Sequence, residues 1–153
     1  MNESAAAPVS GPNVTLEELL AGSITVLGLG VAGFGAAAGL LGCPGFRGSV
    51  TVLDEGQSQQ QRAEILRALG ATVLLGHSGP LPAGTEVLIV SPGVALSQPL
   101  LAQAQSSGIP VWSELELAWR LRPATASADA PWLVVSGTNG KTTATLKIGR
   151  AHV

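Results

Sequence analysis

Ser23-Ile24-Thr25-Val26-Leu27-Gly28-Leu29-Gly30-Val31-Ala32-Gly33 is the stretch whose reading decides the fold. Its first half is β-branched and apolar, as a strand covered on both faces requires. It runs without a break into a G-x-G-x-x-G turn. A helix of small residues is expected from there to Leu41, with Ala36, Ala37 and Ala38 allowing close packing on a sheet. A second apolar strand, residues 49–53, delivers Asp54 at its carboxyl end, 21 residues after Gly33. Strand, glycine turn, helix, strand and acid in this order form a βαβ nucleotide-binding fingerprint. The glycines let the backbone approach a diphosphate, and the acid accepts a hydrogen bond from a ribose hydroxyl. The pattern does not say which nucleotide. Glycines serving only helix–strand packing are the plain alternative.

Upstream, residues 1–13 are small, polar and proline-containing, and are expected to be disordered. Thr15-Leu16-Glu17-Glu18 reads as a capping box that opens a short helix to Ala21. That helix would bury Leu16, Leu19 and Leu20, and Gly22 would end it.

Downstream, alternation of strand and helix continues. Residues 57–69 are expected to be helical, with Ile65, Leu66 and Leu69 on the buried face and Gly70 as the stop. Short strands follow at residues 72–75, 87–90 and 109–112. The second of these ends in Ser91-Pro92-Gly93, a sharp turn at the sheet edge where ligands of open α/β sheets bind. Residues 99–106 form a helix with proline in its first turn. Ser113-Glu114-Leu115-Glu116 reads as a second capping box, whose helix runs to Leu121 with Leu115, Leu117, Ala118 and Leu121 as its apolar positions. Trp112 and Trp119 are read as core or domain-edge packing. His77 is read as a loop histidine and Cys43 as a small packed hydrophobe beside a turn.

Residues 122–131 lack any period and read as a linker. Beyond it, an apolar run over residues 132–135 is expected as a strand leading into Gly137-Thr138-Asn139-Gly140-Lys141-Thr142-Thr143. Glycines followed by Lys and a hydroxyl at the start of a helix suit a nucleoside triphosphate. Backbone N–H groups surround the phosphates, the lysine reaches the outer ones, and the hydroxyl ligates Mg²⁺. The match is incomplete, because Val135 stands where the general P-loop pattern has its first glycine. An ordinary glycine-rich turn with a surface lysine is the alternative. Lys141 is one of only two lysines, which argues against surface filling.

Composition sets the outer limits. A net charge of −2 offers no basic field for nucleic acid. A single cysteine leaves no internal disulfide framework. No apolar stretch reaches the roughly 20 residues that span a bilayer, and the N-terminus lacks a signal-peptide pattern. A soluble cytoplasmic protein without nucleic-acid or membrane partners is expected. The fold class is α/β: a Rossmann-like parallel sheet over residues 23–121, preceded by an extension and short helix at 1–22. The linker at 122–131 then leads to the first strand, P-loop and helix start of a truncated second α/β ATPase domain at 132–146.

Two phosphate-type turns in one chain narrow the field. The pairing of the first glycine turn with Gly137–Thr143 resembles the Mur ligases of peptidoglycan synthesis, and within them the D-glutamate-adding branch. The likeness is carried by Val26-Leu27-Gly28-Leu29-Gly30, by Val90-Ser91-Pro92-Gly93-Val94, and by residues 108–117, and it spans residues 23–146. The resemblance implies an ATP- and Mg²⁺-dependent ligase. ATP phosphorylates the alanyl carboxylate of UDP-N-acetylmuramoyl-L-alanine, and the amine of D-glutamate attacks the acyl phosphate. It implies that Gly28, Gly30, Val31, Ala32, Gly33, Asp54 and Gly93 hold the UDP moiety, with backbone N–H groups of Val31 and Ala32 on the diphosphate and Asp54 on the uridine. It further implies that Gly137, Thr138, Asn139, Gly140, Lys141, Thr142 and Thr143 bind ATP, with Lys141 catalytic on the phosphates and Thr142 on Mg²⁺, in a monomer. Ala32 and Glu55-Gly56 depart from the family pattern, where a hydroxyl and Thr-Arg can stand.

Family members continue through the rest of an ATPase domain and a third domain, so this chain alone is not expected to catalyse ligation. A nicotinamide-dependent oxidoreductase domain and a non-catalytic nucleotide-binding module are the alternative readings. Residues 147–153, Lys-Ile-Gly-Arg-Ala-His-Val, are expected not to be native. A helix following a P-loop should keep an apolar face, whereas Gly149 and three basic residues crowd this segment. The same seven residues are one reading frame of AAGATCGGAAGAGCACACGTC, which resembles the start of a sequencing adapter.

Overall fold

The computed structural model describes residues 13–126 and 128–150, so the expectation for residues 1–12 and the last three residues of the tail lie outside the described residues. Five strands, β1 (Ser23–Leu27), β2 (Ser49–Asp54), β3 (Thr72–Leu75), β4 (Val87–Val90) and β5 (Val111–Ser113), form one sheet in the order β3-β2-β1-β4-β5. Every pairing is parallel, with Ser23 opposite Ser49 and Ile24 opposite Val87. The nearly all-apolar strands match this arrangement, since a parallel sheet is covered on both faces.

Crossover handedness then assigns the helices. α1 is Leu16–Ala21, α2 Val31–Leu41, α3 Gln60–Ala68, α4 Pro99–Ser106 and α5 Glu114–Leu121. The connections through α2 and α3 step outward from β1 in one direction, so right-handed crossovers place both on one face. There they bury Ala37, Leu40, Ala63 and Leu66 with Leu19 of α1 and Leu117 and Leu121 of α5. The step from β4 to β5 runs the other way, and α4 lies on the opposite face, packing Leu100 and Ala104 with Leu27, Leu53, Leu88 and Leu81. Each such Leu or Ile, fully buried, contributes about 1.5–3 kcal/mol.

Thr15 caps α1 as expected, accepting the Glu18 N–H at 3.2 Å while Glu18 Oε2 accepts the Thr15 N–H at 2.8 Å. These bonds hold the Glu18 carboxyl below its ordinary value. The capping box expected at Ser113 is only half formed. Ser113 Oγ accepts the Glu116 N–H at 3.2 Å, but the Glu116 carboxylate turns to Arg120 at 2.7 Å, an i,i+4 ion pair. Arg120 also stacks over Trp112, its Cζ 4.2 Å from the ring centroid, and donates to Val14 O.

Several expected positions shift. Leu66 is buried as expected, but Ile65 and Leu69 are exposed and Ala63 is buried in their place, because the crossover presents that edge of the helix to the sheet. Leu115 and Ala118 are likewise exposed on α5. Trp112 is core, whereas Trp119 is half-exposed and meets Trp132 edge to face at 5.2 Å. Cys43 is buried, and that burial pushes its thiol up.

The largest difference lies at residues 132–135, which are not a strand. Leu133 and Val134 are exposed, and among the described residues no strand lies beside them to complete the hydrogen-bond ladder that makes a strand stable. The second ATPase sheet is therefore absent from the described residues. A further helix, α6 (Lys141–Arg150), does follow the glycine turn and continues through Lys147 and Gly149.

Candidate functional site

The sheet changes direction between β1 and β4, and their carboxyl ends open a crevice of the kind that takes ligands in doubly wound folds. The glycine turn that floors it is held from several sides. Gly28 adopts φ 92°, a left-handed conformation suited to glycine, and its N–H donates to Leu53 O at 2.8 Å. Ser91 Oγ, reaching across from the end of β4, donates to Gly28 O at 3.0 Å. The Leu29 peptide is gripped at both ends. Its N–H donates to Asp54 Oδ2 at 2.6 Å, and its carbonyl accepts from Arg62 Nη1 at 3.3 Å. Arg62 is itself steadied by Gln59 Oε1 at 2.8 Å.

Gly33 explains the third glycine of the motif. A Cβ there would stand 1.8 Å from Gly28 O and 2.5 Å from Ser91 Oγ, so only hydrogen fits between α2 and the turn. Gly30 caps α2 without a side-chain bond. The N–H groups of Val31, Ala32 and Gly33 thus have no acceptor within the helix, and the dipole adds roughly half a positive charge at this end. Val31 is exposed, which leaves that end open to an anion.

Opposite stands the turn after β4. Ser91 N–H donates to Leu27 O and Val94 N–H to Ser91 O, each at 3.0 Å, which brings Gly93 and Pro92 to the rim. The resulting cleft has a volume of about 830 Å³. Gly28, Gly30, Val31, Ala32, Asp54 and Gly93 all line it, and Gly33 lies beneath. Six of the seven residues expected around the UDP moiety therefore meet in one place. Asp54 is more committed than the motif suggests, since Oδ2 holds Leu29 and Oδ1 accepts the Gly56 N–H at 2.8 Å.

Sequence reading missed Gln59, Arg62 and Gln98 as parts of this site, and it named Ser91 and Glu55 without the contacts that they make. Those of Ser91, Arg62, Glu55 and Gln98 join residues brought near by the fold, as Ser91 and Gly28 are, 63 positions apart, whereas Gln59 acts locally on Arg62. Among the lining residues none is His, Lys or Arg, so an anion in this cleft would be met by backbone N–H groups and not by a basic side chain.

Gly137, Thr138, Asn139, Gly140, Lys141, Thr142 and Thr143 lie apart from that cleft, in an exposed turn that enters α6. Gly140 has φ 78°, and the Lys141 ammonium folds back to donate to Gly137 O. A cation and a helix N-terminus thus face the same turn, which fits a polyphosphate. Among the described residues no group of three His, Cys, Asp or Glu could hold a metal. Thr142, the hydroxyl that follows Lys141, is the side chain of this turn that could contribute to holding a Mg²⁺. His77 is a loop residue bonded to Pro80 O at 3.0 Å. No helix among the described residues is long and apolar enough to cross a membrane.

The family described as Mur ligase MurD-like, N-terminal domain, matches residues 22–113. The UDP-N-acetylmuramoylalanine--D-glutamate ligase of Streptomyces avermitilis is 48% identical over 123 residues, covering 79% of this chain and 25% of that one. The enzyme of the same name from Streptomyces coelicolor is 46% identical over 122 residues, covering 78% and 25%. The chain thus spans about a quarter of the length of these relatives. Among solved structures, Mycobacterium tuberculosis shikimate dehydrogenase superposes with a TM-score of 0.42 at 19% identity, over 87% of this chain and 60% of that one.

Proposed function

The chain belongs to the MurD-like Mur ligases, and from that premise we propose that its cleft binds the uridine diphosphate of UDP-N-acetylmuramoyl-L-alanine. It is then the N-terminal part of a cytoplasmic, ATP-dependent ligase that joins D-glutamate to that substrate in peptidoglycan precursor synthesis. The observation that carries the reading is the donor-rich end of the cleft. There the first turn of α2 offers the N–H groups of Val31 and Ala32 opposite Gly93, with no side-chain cap in the way. Such a site takes a diphosphate without a basic side chain. Gly28, Gly30 and Gly33 serve by shape, and Asp54 and Ser91 by holding that shape.

The exposed turn at Gly137–Thr143 is the ATP site in this reading. ATP supplies the phosphoryl group that activates the alanyl carboxylate, Lys141 neutralises the outer phosphates, and Thr142 contributes to holding Mg²⁺. A nicotinamide dinucleotide is the competing ligand for the first cleft. Asp54 does not separate the two, since each of its oxygens accepts one backbone N–H and keeps a second lone pair for a ribose hydroxyl of either ligand. Titration calorimetry of this chain with UDP-N-acetylmuramoyl-L-alanine and with NAD decides between them. Heat from the UDP ligand and none from NAD is expected, and the reverse overturns the proposal.

A further inference from the structure

Arg62 stands behind the glycine turn, on α3. Its Nη1 donates to Leu29 O at 3.3 Å, and the same nitrogen reaches Gln59 Oε1 at 2.8 Å. Leu29 O belongs to the peptide unit that also carries the Gly30 N–H. That unit is planar and trans, so the N–H points away from the guanidinium. Leu29 is fully buried, and neither it nor Arg62 lines the cleft, whereas Gly30 is exposed and does. The Gly30 N–H is therefore turned to the open side. Among the described residues it has no acceptor, unlike the N–H groups of Gly28 and Leu29, which Leu53 O and Asp54 Oδ2 take.

Charge gives this arrangement its use. Two carboxylates, Asp54 and Glu55, line the cleft, and no basic side chain does. A diphosphate entering it meets backbone donors against a negative background. Arg62 forms no ion pair among the described residues, since its partners are a carbonyl and a side-chain amide oxygen. It is half-buried, so salt screens its charge less than that of an exposed group. We infer that Arg62 is a positioning residue for the diphosphate. It holds the Leu29–Gly30 peptide with its N–H toward the ligand, polarises that peptide through the carbonyl, and places behind the turn the positive charge that the lining lacks. The Gly30 N–H then joins those of Val31 and Ala32 on the phosphate oxygens. The inference rests on the diphosphate reading above and names a residue outside the cleft on which that binding depends.

The test follows the backbone amide resonances of this chain by NMR during titration with inorganic pyrophosphate, and measures UDP affinity by calorimetry. In the wild type, pyrophosphate should move the Gly30 amide together with those of Val31 and Ala32. Arg62→Met keeps an apolar stem and removes the charge and the donors. UDP and pyrophosphate should both weaken by about 10-fold or more, the weight of a charge-assisted hydrogen bond, and the Gly30 response should be lost. Arg62→Lys is the rescue. Both Arg62 bonds leave a single nitrogen, so an ammonium with three donors can make them, and both affinities should stay within about 3-fold of wild type. If Arg62→Met binds as wild type does, the turn orients itself. If Arg62→Lys is as weak as Arg62→Met, the side chain serves by shape and not by charge. Either result overturns the inference and leaves the diphosphate reading standing. If pyrophosphate moves none of the three amides in the wild type, the diphosphate reading fails and this inference falls with it.

Discussion

Gly33→Ala is the perturbation that most directly probes how the glycine turn is built. The added methyl would lie 1.8 Å from Gly28 O, and ordinary contact begins near 3.4 Å, so α2 and the turn must part by about 1.6 Å. Ser91 Oγ stands 2.5 Å from the same point and blocks the sideways escape. Neither neighbour is the loose end of a flexible chain. One is backbone held by the Ser91 hydroxyl, the other a buried hydroxyl. Overpacking of this kind costs about 3 kcal/mol, the upper part of its usual range. For a chain of this size that is a fall of roughly 10 °C in melting temperature. Gly35→Ala, two residues along the same helix, is the matched control. A Cβ there meets nothing within 4 Å, and the exchange should stabilise α2 by about 0.5–1 kcal/mol. Urea denaturation followed by circular dichroism measures both. The reasoning is refuted if the two variants unfold at the same midpoint, for then the contact between Gly33 and Gly28 has no energetic weight.

The remaining predictions concern single groups. Ser91→Ala removes the donor to Gly28 O and should destabilise by about 1 kcal/mol, with UDP affinity lowered at unchanged secondary structure; unaltered affinity would show that the turn keeps its shape without it. The Glu18 carboxyl should titrate below free glutamate in NMR, and Thr15→Ala, which keeps the backbone N–H and removes only the hydroxyl donor, should bring it part of the way back. Because the folded state lowers this value, the associated stability is present above the ordinary carboxylate range and is lost as pH falls through the folded value; a titration identical with and without the Thr15 hydroxyl would reject that hydroxyl's share of the cause. On the proposed function, Lys141→Ala in a ligase that contains this chain should slow turnover by about 10²-fold or more with binding of the UDP ligand intact, and near-normal turnover would remove Lys141 from its proposed role.

Local chemistry explains what was legible in the chain. Apolar runs located β1, β3 and β4 at their observed bounds; β1 and β4 are buried almost throughout and so have no polar alternation to blur their ends, while the edge strand β3 is bounded by Gly70 and Gly76. The capping residue Thr15 and the proline at the start of α4 located helix starts through bonds made within a few residues. The pattern Gly28, Gly30, Gly33 and Asp54 marked the cleft, since close approach and positive φ restrict the residue type at the position itself.

Other features depend on neighbours that are remote in sequence. Whether α3 turns Ile65 or Ala63 inward is set by the crossover between β2 and β3, and both edges of that helix carry apolar residues. Residues 132–135 have the composition of a strand, yet strand formation needs a ladder partner, and none of the described strands lies beside them. The Ser91 bond to Gly28, the grip of Asp54 and Arg62 on Leu29, and the Glu55–Gln98 contact join groups 25 to 63 positions apart. Residue type at each position decided where a nucleotide-binding turn can form. Only the packed sheet, by bringing the ends of β1, β2 and β4 together, decided which side chains hold that turn and which line the cleft.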